Sequence, residues 1–131
     1  MIEKALASTP KRIIAIIEDD SRMRTSVARL LEAFGFGTET FESAEAFLRA
    51  SSNACCLLVD INLDKMNGIE LALNLGGRGI KYPIIFMTGR DSDSVRRQAL
   101  NAGAAGYLNK PFLARTLLEE IVKAFAGAGK S

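Results

Sequence analysis

Five polar side chains stand at the ends of the apolar runs of this sequence, and together they have the chemistry of phosphoryl transfer to a carboxylate. They are three acids, a hydroxyl and an amine: Glu18, Asp19, Asp60, Thr88 and Lys110. A carboxylate can attack phosphorus, while an ammonium and a hydroxyl can neutralise and hydrogen-bond the transferred oxygens. We therefore expect Asp60 to accept a phosphoryl group with help from Thr88 and Lys110.

The charge of this group favours a magnesium ion. Glu18, Asp19 and Asp60 sum to −3 and Lys110 adds +1, which leaves −2. Like charges at short distance raise the pKa of at least one acid unless a cation compensates for them. Oxygen ligands suit a hard divalent ion, so we expect Mg²⁺, bound weakly with water completing its shell.

The apolar runs predict the strands that carry these residues to one edge of a sheet. Runs that do not alternate are typical of strands buried on both faces, whereas an alternating segment is expected at a sheet edge. The buried strands are predicted at 13–17, 55–59, 84–87 and 104–108, and the edge strand at 38–41. Ligands of parallel sheets bind beyond the carboxyl ends of the strands, which is where the five side chains should meet.

Helical patterns separate the strands. Apolar residues recur at helical spacing from Met23 to Phe34 after a capping Asp20, and further helices are predicted over 44–50, over 67–75, and onward from Asp91 and Phe112. The fourth helix has a thin apolar face and should leave one side exposed. Five alternations of strand and helix predict a three-layer, doubly wound α/β domain.

Composition excludes several classes of protein and of partner for this chain. The 131 residues fit one domain, and a net charge of +2 favours neither nucleic acid nor a membrane as a partner of this chain. The sequence has no histidine, which excludes Ser-His and Cys-His nucleophiles. Because we find neither a signal-peptide pattern nor a membrane-spanning run, we expect a cytoplasmic location. The adjacent Cys55 and Cys56 are expected to be buried packing residues.

Four segments resemble the signature of two-component response-regulator receiver domains: IIEDD at 16–20, LLVDINLDKMNG at 57–68, IIFMTG at 84–89 and GAAGYLNKPF at 103–112. The resemblance covers residues 11–126, and it implies a CheY-like, flavodoxin-like (βα)5 fold with a parallel sheet in the order 2-1-3-4-5. Residues 1–10 and 127–131 are then expected to be flexible ends.

The resemblance also implies a role for each matching residue of the metal site. Asp60 matches the phosphoacceptor, Asp19 the main Mg²⁺ ligand, and Glu18 its acidic neighbour, which acts through water. Asn62 matches the residue whose backbone carbonyl completes the site. The family more commonly has aspartate where this chain has Glu18, and proline where it has Asp64.

Three further positions match the switch of the family. Thr88 and Lys110 correspond to its hydroxyl and lysine, and Tyr107 to the aromatic residue whose inward or outward rotamer reports the state. The resemblance further implies a cis peptide bond before Pro111, since cis bonds are essentially restricted to proline.

The resemblance implies the partners as well. With no histidine of its own, the chain needs an external donor, either a sensor histidine kinase or a histidine phosphotransfer protein. The output partner is a protein bound through the fourth helix, fifth strand and fifth helix, and a phosphorylation-dependent dimer is left open. The chain is not expected to be a multiple-turnover enzyme, since it catalyses only its own phosphoryl transfer and dephosphorylation.

Two alternatives bear on the whole protein. The segments FESAEAFL (41–48) and FMTGRDSD (86–93) look most like receivers that precede a helix-turn-helix DNA-binding domain. The chain is therefore either a stand-alone receiver or a receiver fragment of a transcriptional regulator whose DNA-binding domain is absent.

A calcium loop at 60–68 is rejected, because Lys65 and Leu71 occupy the required glycine and glutamate positions. A haloacid-dehalogenase-like enzyme also fits poorly, because its nucleophilic aspartate lies near the start of the chain.

Overall fold

The computed structural model describes residues 11–128 and shows five strands alternating with five helices. The elements are β1 (Ile13–Ile17), α1 (Ser21–Ala33), β2 (Gly37–Phe41), α2 (Ala44–Arg49), β3 (Cys56–Asp60), α3 (Gly68–Gly77), β4 (Ile84–Thr88), α4 (Asp93–Asn101), β5 (Gly106–Asn109) and α5 (Ala114–Ala128). The expected flexible segment 1–10 and residues 129–131 of the expected tail lie outside the described residues. The last helix continues to Ala128, two residues past the predicted domain end.

All strand pairs are parallel, and the sheet has the order β2-β1-β3-β4-β5, which confirms the predicted fold. The chain runs from β1 outward to β2 and then returns to the other side of β1 as β3. The strand order thus reverses between β1 and β3, and ligands of parallel sheets bind at such a point, beyond the carboxyl ends of the strands. The alternating β2 lies at an edge, as its sequence predicted.

Two apolar cores cover the two faces of the sheet. Alternate strand residues enter opposite cores because successive side chains of a strand point to opposite faces. Phe86 and Leu57 pack with residues of α2, α3 and α4, whereas Ile85 and Leu58 pack with residues of α1 and α5. Each of the three central strands is therefore covered on both sides, which explains why its sequence is apolar without alternation.

Several predicted boundaries were wrong by two residues or fewer. Asp60 and Thr88 are the last residues of their strands, not the residues that follow them. The fifth strand covers 106–109 and not 104–108. Capping shifts the start of α4, because the Ser92 hydroxyl accepts a hydrogen bond from the Val95 amide at 3.1 Å and the helix begins at Asp93.

The expected burial of both cysteines is only half right. Cys56 is fully buried within β3, but Cys55 is exposed. The reason is that β3 begins at Cys56, so Cys55 precedes the part of the strand that the helices cover. Burial raises the pKa of the Cys56 thiol to about 12. Across residues 11–128, no helix combines the length and apolarity that crossing a bilayer requires.

Candidate functional site

The five predicted side chains leave the sheet at its carboxyl edge. Glu18 and Asp19 directly follow β1, Asp60 and Thr88 end β3 and β4, and Lys110 follows β5. Ladder-type hydrogen bonds continue into these positions, because the Glu18 amide donates to Phe41 O at 3.0 Å and the Lys110 amide to Thr88 O at 2.8 Å. Backbone pairing therefore fixes where the side chains start.

Three carboxylates come together at the carboxyl ends of β1 and β3. Glu18, Asp19 and Asp60 each offer an oxygen, and these oxygens all lie within 4.8 Å of one another. Glu18 is 1% exposed and Asp60 4%, whereas Asp19 faces solvent. Lys110 Nζ donates to Asp60 Oδ2 at 3.1 Å and also to Glu18 Oε1. One ammonium thus bridges two buried acids, and the third acid closes the group on the solvent side.

Burial and neighbouring charge set the proton affinity of Glu18. Desolvation raises the pKa of this carboxyl to about 7, since the Lys110 hydrogen bond only partly opposes it and the charge of Asp60 adds to it. For Lys110, burial alone would lower the pKa, but the hydrogen bond to Glu18 and the charge of Asp60 outweigh it and raise the pKa. The lysine is therefore a permanent cation, while Glu18 can share a proton near neutral pH.

The raised Glu18 pKa predicts a pH dependence of stability in the metal-free chain. The folded state binds this proton with a pKa of about 7, above the ordinary value of 4.5, so protonation stabilises it. That contribution is complete below pH 4.5 and is lost as pH rises through 7. Relative to Glu18→Gln, the wild-type free energy of unfolding should fall by at most about 3 kcal/mol between pH 5 and pH 8.

Urea unfolding of both proteins in a chelating buffer measures this difference. The glutamine variant has no proton to lose at position 18, so the comparison cancels the contributions of the titratable groups that do not interact with Glu18. A difference between the two proteins that is the same at pH 5 and pH 8 would contradict the burial of an ionisable Glu18.

Asp60 and Thr88 are connected through Asn62. The backbone amide of Asn62 donates to Asp60 Oδ1 at 2.9 Å, and the Thr88 hydroxyl donates to the side-chain oxygen Oδ1 of Asn62 at 2.9 Å. The same hydroxyl oxygen accepts from the Arg90 amide at 2.9 Å. The family resemblance implied a role for the Asn62 backbone carbonyl, which stays a prediction. No pattern in the sequence indicated the side-chain contact with Thr88.

The start of helix α3 lies close against the backbone at the end of β3. A Cβ at Gly68 would lie 2.6 Å from Asp60 O and 3.0 Å from Ile61 Cα. Only glycine therefore lets α3 begin against the end of β3. The loop between β3 and α3 is also tied at Met66, whose amide donates to Glu45 Oε2 at 3.0 Å, and at Asn67, which caps α3.

Arg24 is a further site residue that the sequence did not indicate. Its Nη1 donates to Glu18 O at 2.7 Å, and Asp20 caps the same helix by accepting from the amides of Arg22 and Met23. Helix α1 thereby holds the turn that carries both Glu18 and Asp19. The cap was readable from sequence, but nothing in the spacing of Arg24 distinguished it from the exposed arginines of the helix.

Tyr107 lies apart from the acidic group, on the side of β5 next to α4. Its hydroxyl donates to Asp91 Oδ1 at 2.8 Å, and its amide donates to Glu120 Oε1 at 3.0 Å. Burial and the hydrogen bond to Asp91 raise the pKa of this phenol to about 12. The peptide bond between Lys110 and Pro111 is cis, as predicted.

The donor set of the site fits a magnesium ion. Its acids are oxygen ligands, and the charges of the three acids and Lys110 sum to −2 when all are ionised (−3 + 1). A hard divalent cation matches both properties. The residues that would hold it are Glu18, Asp19 and Asp60.

Comparisons with known proteins point to one family. The sequence model described as response regulator receiver domain matches residues 14–122. The transcriptional regulatory protein FixJ of Bradyrhizobium diazoefficiens is 36% identical over 106 residues, which are 79% of this chain and 52% of that protein. Nodulation protein W of the same organism is 34% identical over 120 residues, which are 90% of this chain and 52% of that protein. The chain thus spans about half the length of these curated relatives.

Solved structures agree with the sequence comparisons. The crystal structure of FixJ-N superposes with a TM-score of 0.80 at 32% identity and covers 88% of this chain and 94% of that one. A CheY-like receiver domain protein from Methanospirillum hungatei gives a TM-score of 0.84 at 30% identity and covers 93% of this chain and all of that one (100%).

Proposed function

This chain belongs to the response regulator receiver domain family of two-component systems, and from that premise we propose that Asp60 is its phosphoacceptor. The donor in this proposal is a sensor histidine kinase or a histidine phosphotransfer protein acting in the cytoplasm. The chain serves as a switch and not as a multiple-turnover enzyme, since its catalysis is limited to its own phosphorylation and dephosphorylation.

One observation carries the proposal, namely the ammonium of Lys110 between two buried acids. Lys110 Nζ lies 3.1 Å from Asp60 Oδ2 and also contacts Glu18, while the Asp19 carboxylate completes the group. A structural ion pair would need one acid for this lysine. Three acids around one lysine leave a negative charge that suits a divalent cation and the phosphoryl oxygens it would accompany.

The chemistry follows from these contacts. An oxygen of the Asp60 carboxylate attacks phosphorus, the bond from phosphorus to the donor imidazole nitrogen breaks, and its electron pair leaves with that nitrogen. The product is an acyl phosphate on Asp60. Lys110 is placed to stabilise the added charge, and the Thr88 hydroxyl can donate to a phosphoryl oxygen once it leaves Asn62. Bound Mg²⁺ supplies charge neutralisation and orientation for the transferred oxygens.

The output surface that we propose is formed by α4, β5 and α5. A groove of about 610 Å³ lies between these elements, lined among others by Tyr107, Leu100 and Leu113. Leu100 is 70% exposed and Leu113 73%, so the surface presents apolar side chains beside Tyr107. Only Ala99 of α4 is buried, so the apolar face of this helix is thin and few apolar contacts fix the helix in place.

A second candidate places this switch inside a transcriptional regulator. The observation that favours it is length, because relatives such as FixJ are called transcriptional regulatory proteins and this chain spans about half of them. In that arrangement the α4–β5–α5 surface would act on a DNA-binding output domain or on a second receiver. The chemistry at Asp60 is the same in both candidates.

Labelling by a small acyl phosphate tests the proposal. Incubated with acetyl phosphate, the chain should gain one phosphoryl group by intact mass in the presence of Mg²⁺, and the gain should disappear when the metal is chelated. Labelling that is equal with and without Mg²⁺ would contradict the role given to the acidic group.

A further inference from the structure

Asp91 lies in the loop before α4, and its carboxylate accepts four hydrogen bonds from other side chains. Its Oδ1 accepts from Arg96 Nε at 2.9 Å and from the Tyr107 hydroxyl at 2.8 Å. Its Oδ2 accepts from Arg96 Nη2 at 2.8 Å and from Asn109 Nδ2 at 3.1 Å. One carboxylate therefore joins the β4–α4 loop, helix α4 and strand β5.

The geometry of this group is that of a strong surface contact. Isolated exposed ion pairs contribute little to stability, but a bidentate arginine–carboxylate pair within a network is the exception. The Arg96 guanidinium also lies 5.6 Å from the centre of the Tyr107 ring, so it faces the ring while holding the carboxylate. The Arg96 and Tyr107 hydrogen bonds keep the pKa of Asp91 below its usual range, so the carboxylate is ionised.

The packing of α4 makes this network important. Of its nine residues only Ala99 is buried, so apolar contacts fix the helix weakly. Asp91 supplies polar contacts in their place, to Arg96 in α4 and to Tyr107 and Asn109 in β5. Whatever moves Tyr107 must therefore also break a contact that secures α4.

We propose that Asp91 is a positioning residue that latches the unphosphorylated state, holding the Tyr107 hydroxyl at the surface and α4 against β5. This inference rests on the proposed function and on the resemblance of Tyr107 to the switch aromatic of the family, because the latch would oppose an inward turn of Tyr107 when Asp60 is phosphorylated. If the Asp91 contacts exist only in the unphosphorylated state, binding of a phosphoryl group must break them. These contacts then lower the affinity for the phosphoryl group, and by linkage phosphorylation weakens them by the same factor. Removing the latch should therefore make the chain easier to activate.

Two alanine variants separate the latch from a simple charge effect. Asp91→Ala removes the acceptor of Tyr107, whereas the control Asp93→Ala removes an exposed acid from the first turn of the same helix. NMR of the Tyr107 ring in the absence of any phosphoryl analogue is the first readout. The chain has only two tyrosines, so the Tyr107 ring signals can be assigned against Tyr82. They should shift in Asp91→Ala and stay at their wild-type positions in Asp93→Ala.

Titration with beryllofluoride at saturating Mg²⁺, followed by the amide signals of Thr88 and Lys110, is the second readout. Asp91→Ala should bind this phosphoryl analogue about fivefold more tightly than the wild type, the lower end of typical allosteric couplings. Unchanged Tyr107 ring signals, or equal affinities in a wild type that does bind beryllofluoride, would overturn the latch. A wild type that binds no beryllofluoride would instead contradict the proposed function, while the ring signals would still decide whether Asp91 holds Tyr107.

Discussion

Asp60→Asn should reduce labelling by acetyl phosphate and Mg²⁺ to background, which is the largest effect expected of any substitution in this chain. The amide of asparagine lacks the negatively charged oxygen that attacks phosphorus. It also removes one charge from the acidic group, so the divalent cation is held less tightly. The variant should still fold, because its amide oxygen can accept from the Asn62 amide as Asp60 Oδ1 does at 2.9 Å.

A matched control lies four residues further along the chain. Asp64→Asn makes the same chemical change at an exposed acid of the loop that follows β3. It should be labelled to the wild-type extent under the same conditions, as measured by intact mass. Wild-type labelling of a folded Asp60→Asn protein would mean that the phosphoryl group goes elsewhere.

Lys110→Gln has the second-largest expected effect, a slowing of labelling by about 10²–10³-fold, which is typical for loss of one preorganised donor. Glutamine keeps part of the side-chain length but removes the positive charge that contacts both Glu18 and Asp60. The negative charge on the transferred phosphoryl oxygens would then no longer be neutralised by the Lys110 ammonium. The measurement is the initial rate of mass gain at saturating Mg²⁺.

Lys123→Gln is the control for the loss of a lysine charge. Lys123 pairs with Glu120 on α5 and its side chain is 69% exposed, so its substitution should leave the labelling rate unchanged. If Lys110→Gln were labelled at the wild-type rate while remaining folded, Lys110 would have only a structural role. Far-UV circular dichroism of both variants separates misfolding from lost chemistry.

The order of elements was predictable because strand and helix differ in their apolar period. Ile14 and Ile16 belong to a run without alternation, and such a run is stable only where helices cover both faces of the sheet. Boundaries were less predictable because local caps decide them. Ser92 caps α4, so the helix begins at Asp93 and not at the predicted Asp91. Asp91 therefore lies in the preceding loop, where its carboxylate accepts a hydrogen bond from β5.

The site was predictable as a set of residues but not as a network. Polar residues at the ends of buried parallel strands meet by topology alone, and for this reason the sequence was enough to group Asp19, Asp60 and Lys110. The contacts between Thr88 and Asn62 and between Tyr107 and Asp91 link residues far apart in sequence. They depend on side-chain direction and loop path, which no periodicity in the sequence encodes.

The most direct test of the account is the position of the phosphoryl group on the wild-type chain. The chain is labelled with acetyl phosphate and Mg²⁺ and reduced with borohydride, which converts an aspartyl phosphate to homoserine, and its peptides are then sequenced by mass spectrometry. The arrangement of Glu18, Asp19 and Lys110 around Asp60 predicts homoserine at position 60 and at no other aspartate. Homoserine at Asp19 or Asp64 with an unmodified Asp60 would contradict it.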